Sequence, residues 1–190
     1  ILPAIEAKAA RYTVTVAGES GSGKSETAKA IAETLEKRGV RCAIYQQDDY
    51  FVLPPKSNDA KRREDISWVG TQEVKLELLD SHLKAAIEGE AAVKKPLVIY
   101  DEDKIVEETL SIEGAKVVIA EGTYTTLLEN VDTRIFIARN RLETMEARQR
   151  RAREAMEPFI EKVLEIEHEI ISKHRARAQV VITRDYDVEL

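Results

Sequence analysis

Gly18-Glu19-Ser20-Gly21-Ser22-Gly23-Lys24-Ser25 is the stretch that decides how this chain folds. It fits the pattern GxxxxGK(S/T), and three of the chain's 8 glycines fall inside it. Tyr12-Thr13-Val14-Thr15-Val16-Ala17 precedes it and reads as a buried strand. Ala28, Ile31, Ala32 and Leu35 follow at helical spacing between Glu26 and Arg38. Strand, glycine-rich turn and helix in that order is the context in which the motif binds phosphate. Glycines let backbone N–H groups turn inward around phosphate oxygens. The N-terminus of the following helix adds partial positive charge. Gly18, Glu19, Ser20, Gly21, Ser22, Gly23, Lys24, Ser25 and Glu26 are therefore the expected nucleotide cradle. Lys24 is placed to reach the terminal phosphates, and the Ser25 hydroxyl to bind Mg²⁺.

The whole chain of 190 residues reads as one domain, residues 1–190, with 43% hydrophobic residues to build a core. The net charge of -6 argues against a nucleic-acid or membrane-surface role, both of which favour basic faces. Cys42 is the one cysteine, so no internal disulfide forms, which fits a reducing, cytoplasmic setting. No apolar run reaches the length of a membrane helix and no signal peptide is visible. Residues 1–11 read as an N-terminal extension of a chain trimmed before Ile1.

Strand and helix patterns alternate along the sequence. That alternation predicts an α/β fold, a parallel sheet with helices on both faces. Taken with the Gly18–Ser25 motif, it resembles the P-loop NTPase fold, which implies a three-layer α/β/α sandwich with a mainly parallel five-stranded sheet. Arg41–Gln46, Leu97–Tyr100, Val117–Ala120, Arg134–Ile137 and Val180–Ile182 read as strands after the first. Val117-Val118-Ile119-Ala120 has the continuous apolar character of a central parallel strand. Gln72–Glu88 reads as an amphipathic helix, and Leu142–Ala155 as a charged one within an arginine-rich helical lid over 142–157. A further helix opens at Pro158 and runs to about Arg177. Pro54-Pro55 reads as a stop, and residues 51–70 as an irregular, substrate-side loop.

Phosphoryl transfer needs positioning and neutralisation of charge. Ligands of doubly wound sheets sit beyond the carboxyl ends of the strands. Glu121, at the end of Val117–Ala120, and Asp48 and Asp49, after the second strand, are thus expected on the phosphate side. Ser25, Asp48 and Glu121 form the expected metal set. An extended backbone at 48–49 would let only one of the two aspartates face the site. In Arg148-Gln149-Arg150-Arg151, Arg148 and Arg151 share a helix face and are candidates to stabilise the transferred phosphoryl group. Asp49, Tyr50, Arg62, Trp68 and Tyr124 are weaker candidates for substrate contact. His82, His168 and His174 sit on expected helices without the spacing of a zinc site and read as surface residues.

The ordered motifs resemble the uridine kinase and phosphoribulokinase-like branch of P-loop kinases. The resemblance rests on the Gly18–Ser25 loop, Gln47-Asp48-Asp49-Tyr50-Phe51, Tyr100-Asp101, Thr109 and Val117-Val118-Ile119-Ala120-Glu121-Gly122. Asp132–Ile137, the Arg148 region and Ala178–Ile182 extend it over roughly residues 12–183. It implies an ATP-dependent kinase acting on a hydroxyl of a small molecule, with ATP or another NTP as donor and Mg²⁺ as metal. By the same resemblance Asp48 would orient or deprotonate the acceptor hydroxyl. The family's His-Pro-Asp-x-Phe-Asp substrate stretch is absent, and Ser57–Asp65 stands in its place, so the acceptor stays open. A nucleotide-binding switch module, or a P-loop kinase of nucleoside monophosphates or a macromolecule, is the alternative reading. The Asn-Lys-x-Asp and Asp-x-x-Gly motifs of GTPase switches do not occur.

Overall fold

A computed structural model describes residues 1–140, 142–144 and 157–190. Its spine is a six-stranded sheet in the order β2-β5-β1-β6-β7-β8. The first strand, β1 (Tyr12–Gly18), is buried throughout, and so is β5 (Val117–Glu121). β2 (Cys42–Gln46), β6 (Thr133–Ile137) and β7 (Val180–Ile182) complete the parallel part. The expected five strands are thus all in place, with one difference. The sixth, β8 (Val188–Glu189), is a two-residue antiparallel edge on β7. Leu97–Tyr100, expected as a further strand, belongs instead to a separate antiparallel hairpin of β3 (Ala92–Ile99) and β4 (Lys104–Ser111).

The period-two alternation of the central strands divides the core in two. Val14, Val16, Val117, Ile119, Ile135 and Ile137 face α1 (Leu2–Ala7) and α2 (Lys24–Glu36), meeting Ile5, Ala28, Ala32 and Leu35. Ala17, Val118, Ala120 and Phe136 face the other way, where Leu79, Leu83 and Ala86 of α4 (Leu76–Ile87) and Ile171 of α5 (Pro158–Ile171) cover them. Residues 1–11 are part of this packing. Ile5 is fully buried, and Lys8 is held 2.6 Å from Asp132, which also accepts the Thr13 N–H.

The stretch expected as a substrate-side loop is largely helical. α3 spans Pro55–Glu64 and opens on the very proline read as a stop. Proline is favourable in a first helical turn, because its missing N–H has no partner there to lose. Short 3₁₀ turns at Ile66–Trp68 and Thr71–Glu73 lead into α4, which starts four residues later than its apolar pattern suggests. The helix opening at Pro158 is as expected, its end finished by a 3₁₀ segment at Ser172–Arg177. The expected charged helix at 142–155 lies almost wholly outside the described residues.

Candidate active site

The phosphate loop joins β1 to α2 at the carboxyl edge of the sheet. Gly21 and Gly23 take left-handed φ values of 75° and 98°, which glycine adopts without strain. At Gly18 space adds a second limit to its positive φ of 157°. A Cβ there would lie 2.7 Å from Ser22 Oγ and 3.0 Å from the Ile137 carbonyl oxygen. The loop is closed by Ser22 N–H donating to the Glu19 carbonyl at 3.1 Å. Lys24 Nζ donates to that same carbonyl at 2.9 Å, so its ammonium lies folded over the loop.

Beside the loop stand the strand-end acids. Ser25 Oγ donates to Glu121 Oε1 at 2.9 Å, joining the first turn of α2 to the end of β5. Burial pushes the Glu121 carboxyl above its usual range. Lys24 and the Ser25 hydroxyl oppose that shift, and Asp48 reinforces it through like-charge repulsion. Asp48 is exposed at the same edge, and the Tyr100 hydroxyl points to its Oδ2 from the hairpin at 3.5 Å. The two aspartates are separated as anticipated, but by a different backbone. Gln47–Tyr50 is a 3₁₀ turn, which sends Asp48 out to the site and Asp49 inward. The turn is fastened by Gln47, whose Oε1 accepts the Tyr124 N–H at 2.7 Å directly beneath Gly122.

Asp49 instead anchors the hairpin. Its Oδ2 lies 2.7 Å from Lys95 Nζ and its Oδ1 accepts the Val98 N–H at 3.1 Å. Lys95 is buried and also meets Glu108 at 2.7 Å. At the hairpin tip Asp103 accepts the Ser57 hydroxyl at 2.7 Å and the Lys56 N–H at 2.6 Å, tying β3–β4 to α3. Tyr50 and Tyr124 are buried in the core, Tyr50 with its hydroxyl 2.8 Å from His82 Nδ1. Arg62 is held between Glu73 at 2.5 Å and Glu167 at 3.2 Å. Burial alone would lower its pKa, and the two carboxylates raise it instead. Trp68 is half-buried, its indole N–H donating to Asn58 Oδ1 at 2.9 Å. Arg148 and Arg151 lie outside the described residues.

Two of the histidines read as surface residues are buried: His82 against Tyr50, and His174 edge-on to Tyr124. Burial lowers the pKa of both. His168 stands 2.6 Å from the Glu19 carboxylate in the phosphate loop, a pairing no local spacing announces. The hairpin clamp at Lys95 escaped the sequence for a similar reason, since a lysine gives no sign of being buried. The visible signal was weaker: two strand-like runs, Ala92–Ile99 and Lys104–Ser111, flanking a short polar turn.

The donor set suits a nucleotide and a hard cation. Ser22 Oγ is buried inside the loop without a partner among the described residues, available to a phosphate oxygen. Ser25, Glu121 and Asp48 present oxygen ligands only. Among the described residues no group of three or more His, Cys, Asp or Glu side chains forms a closed metal site. An open site of one or two carboxylates is how Mg²⁺ is usually held, the remainder coming from water and phosphate.

Sheet order and loop together define the P-loop kinase fold. The model of the phosphoribulokinase/uridine kinase family matches residues 13–153, and the chain belongs to that family. It is 30% identical over 94% of its length to the bifunctional alpha-galactosidase/sucrose kinase AgaSK of Mediterraneibacter gnavus, of which it spans 20%. It is 22% identical to a uridine kinase of Leuconostoc citreum, over 89% of this chain and 85% of that one. The phosphoribulokinase of Rhodobacter spheroides superposes with a TM-score of 0.69 at 11% identity, over 91% of this chain and 70% of that one. No helix among the described residues is long and apolar enough to cross a membrane.

Proposed function

We propose that this chain transfers the γ-phosphoryl group of ATP to a hydroxyl of a small, polyhydroxylated acceptor. The observation that carries the reading is the Ser25–Glu121 hydrogen bond beneath the phosphate loop, with Asp48 close enough to act on the same carboxylate. Loop, hydroxyl and two acids are the parts that phosphoryl transfer requires on one edge of a sheet. The acceptor class follows from two supports. One relative is named a sucrose kinase, and beside Asp48 stands the exposed Tyr100, its hydroxyl 3.5 Å from Asp48 Oδ2 and able to bond a hydroxylated acceptor.

Lys24 leaves the Glu19 carbonyl to donate to the terminal phosphates. Asp48 accepts the proton of the acceptor hydroxyl as its oxygen bonds to the γ-phosphorus and the bond to the leaving ADP oxygen breaks. Arg148 and Arg151 are proposed to neutralise charge on the moving group. Mg²⁺, held by Ser25, Glu121 and Asp48, would supply charge neutralisation at the phosphates. The test is Asp48→Asn, assayed for ADP release across a panel of mono- and disaccharides, polyols and nucleosides. Loss of a positioned base lowers kcat by about 10²–10⁴-fold. Full turnover by that variant on any accepted substrate overturns the role. ATP binding with no acceptor in the panel overturns the small-molecule reading.

A further inference from the structure

Two neighbouring side chains of α5 reach opposite halves of the site. His168 is bonded to Glu19 of the phosphate loop at 2.6 Å, its ring N–H donating to the carboxylate. Glu167, one position earlier, is largely buried and bonded to Arg62 of α3 at 3.2 Å. Arg62 continues to Glu73 through its Nε at 2.8 Å and a second nitrogen at 2.5 Å. Glu73 is fully buried, accepting the Asn58 side-chain amide at 2.9 Å and the Gly70 N–H at 2.8 Å. Asn58 in turn accepts the Trp68 indole N–H. Two bonded runs therefore meet at adjacent positions of α5: His168 to Glu19 of the phosphate loop, and Glu167 through Arg62, Glu73 and Asn58 to Trp68, joined by the helix backbone between them.

Glu19 is where a nucleotide would disturb these runs. Its carbonyl accepts Lys24 Nζ and the Ser22 N–H, and its carboxylate holds His168. When Lys24 swings to a phosphate, the Glu19 peptide loses a charged partner and its side chain is freed to shift. Charged hydrogen bonds are short and directional, and positions 167 and 168 are adjacent on one helix, so their contacts move together rather than independently. We infer that His168 and Glu167 are positioning residues that couple occupancy of the phosphate loop to the placement of α3 on the acceptor side. This rests on the nucleotide reading of the loop made above.

Trp68 is the chain's one tryptophan and ends the network, so it reports the acceptor side directly. AMP-PNP with Mg²⁺ is titrated into the intact protein. Heat of binding and Trp68 emission are followed together, with hydrogen exchange of residues 55–64 read at saturation. The expected result is an emission change and altered exchange that saturate with the binding isotherm. His168→Ala keeps the isotherm but loses the emission and exchange changes. His168→Asn, whose amide places a donor where the ring N–H stood, restores them. Glu167→Gln, which keeps the shape and weakens the Arg62 pair, reduces them while the His168–Glu19 contact stays. Binding without any change at Trp68 or 55–64 overturns the coupling alone. So does an undiminished change in His168→Ala. Absence of binding heat in the unmodified protein overturns the nucleotide reading, and the coupling with it.

Discussion

Replacing Lys95 by Met tests how firmly the β3–β4 hairpin supports the acidic turn that carries Asp48. The Lys95 side chain is 4% exposed and lies 2.7 Å from both Asp49 and Glu108. Methionine fills nearly the same volume, so the perturbation is electrostatic rather than steric. Removing one partner of a buried ion pair typically costs about 3–5 kcal/mol, because the survivor stays desolvated. Two features place this case at the lower end. Glu108 is 33% exposed and can turn to water, and Asp49 keeps the Val98 N–H. A loss of about 3 kcal/mol corresponds to a fall in Tm of roughly 6–12 °C for a chain of this size. The assay is thermal and urea unfolding of the single variant beside Lys95→Met/Asp49→Asn. Neutralising the stranded carboxylate should recover at least about 1 kcal/mol through their coupling. A single variant within about 0.5 kcal/mol of the parent, the level of an ordinary surface substitution, refutes the reasoning.

Three further outcomes follow from the site. Gly122→Ala would put a Cβ 2.2 Å from that of Gln47, so the turn bearing Asp48 must shift. An overpacking cost of about 1–3 kcal/mol is expected in urea melts, with kcat falling more than nucleotide affinity. Lys24→Met should weaken AMP-PNP binding by calorimetry at least about tenfold while the Tm of the free protein moves little, since among the described residues its hydrogen bond is to the Glu19 carbonyl, which also accepts the Ser22 N–H. The raised Glu121 pKa gives a sign for pH. A carboxyl whose folded pKa lies above the unfolded one binds its proton more tightly in the native state. That stabilisation is full below the unfolded pKa and is lost as pH rises through the folded one. Metal binding needs the ionised form, so Mg²⁺-dependent AMP-PNP affinity should fall as pH drops through the raised value, and Glu121→Gln should flatten that dependence.

The donor end was readable because it is contiguous. A phosphate loop is made of backbone N–H groups, local glycines and the next helix turn, so eight residues carry it. Glu121 and Asp48 could be placed because apolar strands announce their own ends, and acids just past those ends fall on one edge of the sheet. α3 was hidden for a physical reason. Only Asn58 within it is buried, so it has no apolar stripe to show a helical period. It is held by polar bonds instead: Arg63 to Asp59 at 2.7 Å, Lys56 and Ser57 to Asp103, and Arg62 to Glu73. The hairpin was hidden by its charges. Lys94 faces Glu107 on the exposed side, while Lys95 is buried against Asp49 and Glu108, and no composition rule separates the two lysines. His168 and Glu19 meet only because the chain returns to the phosphate loop after β6.

The hairpin differs from the rest of the fold in how it is paired as well as in how it is held. β1 pairs with β5 and β6, so Tyr12 meets Val117 and Gly18 meets Ile137, and none of these registers can form until most of the chain exists. β3 and β4 are consecutive and among the described residues pair with each other alone; they join the remainder through Asp49, Ser57 and the backbone around Lys56, and through Val93 and Leu110 packed into the core beneath α4. A segment that closes on itself can be exchanged as a block without disturbing long-range pairings. Residues 92–111 are thus a cassette. Recombination or design could swap it between relatives to change what lies opposite Asp48, leaving the phosphate loop, Ser25 and Glu121 as they are.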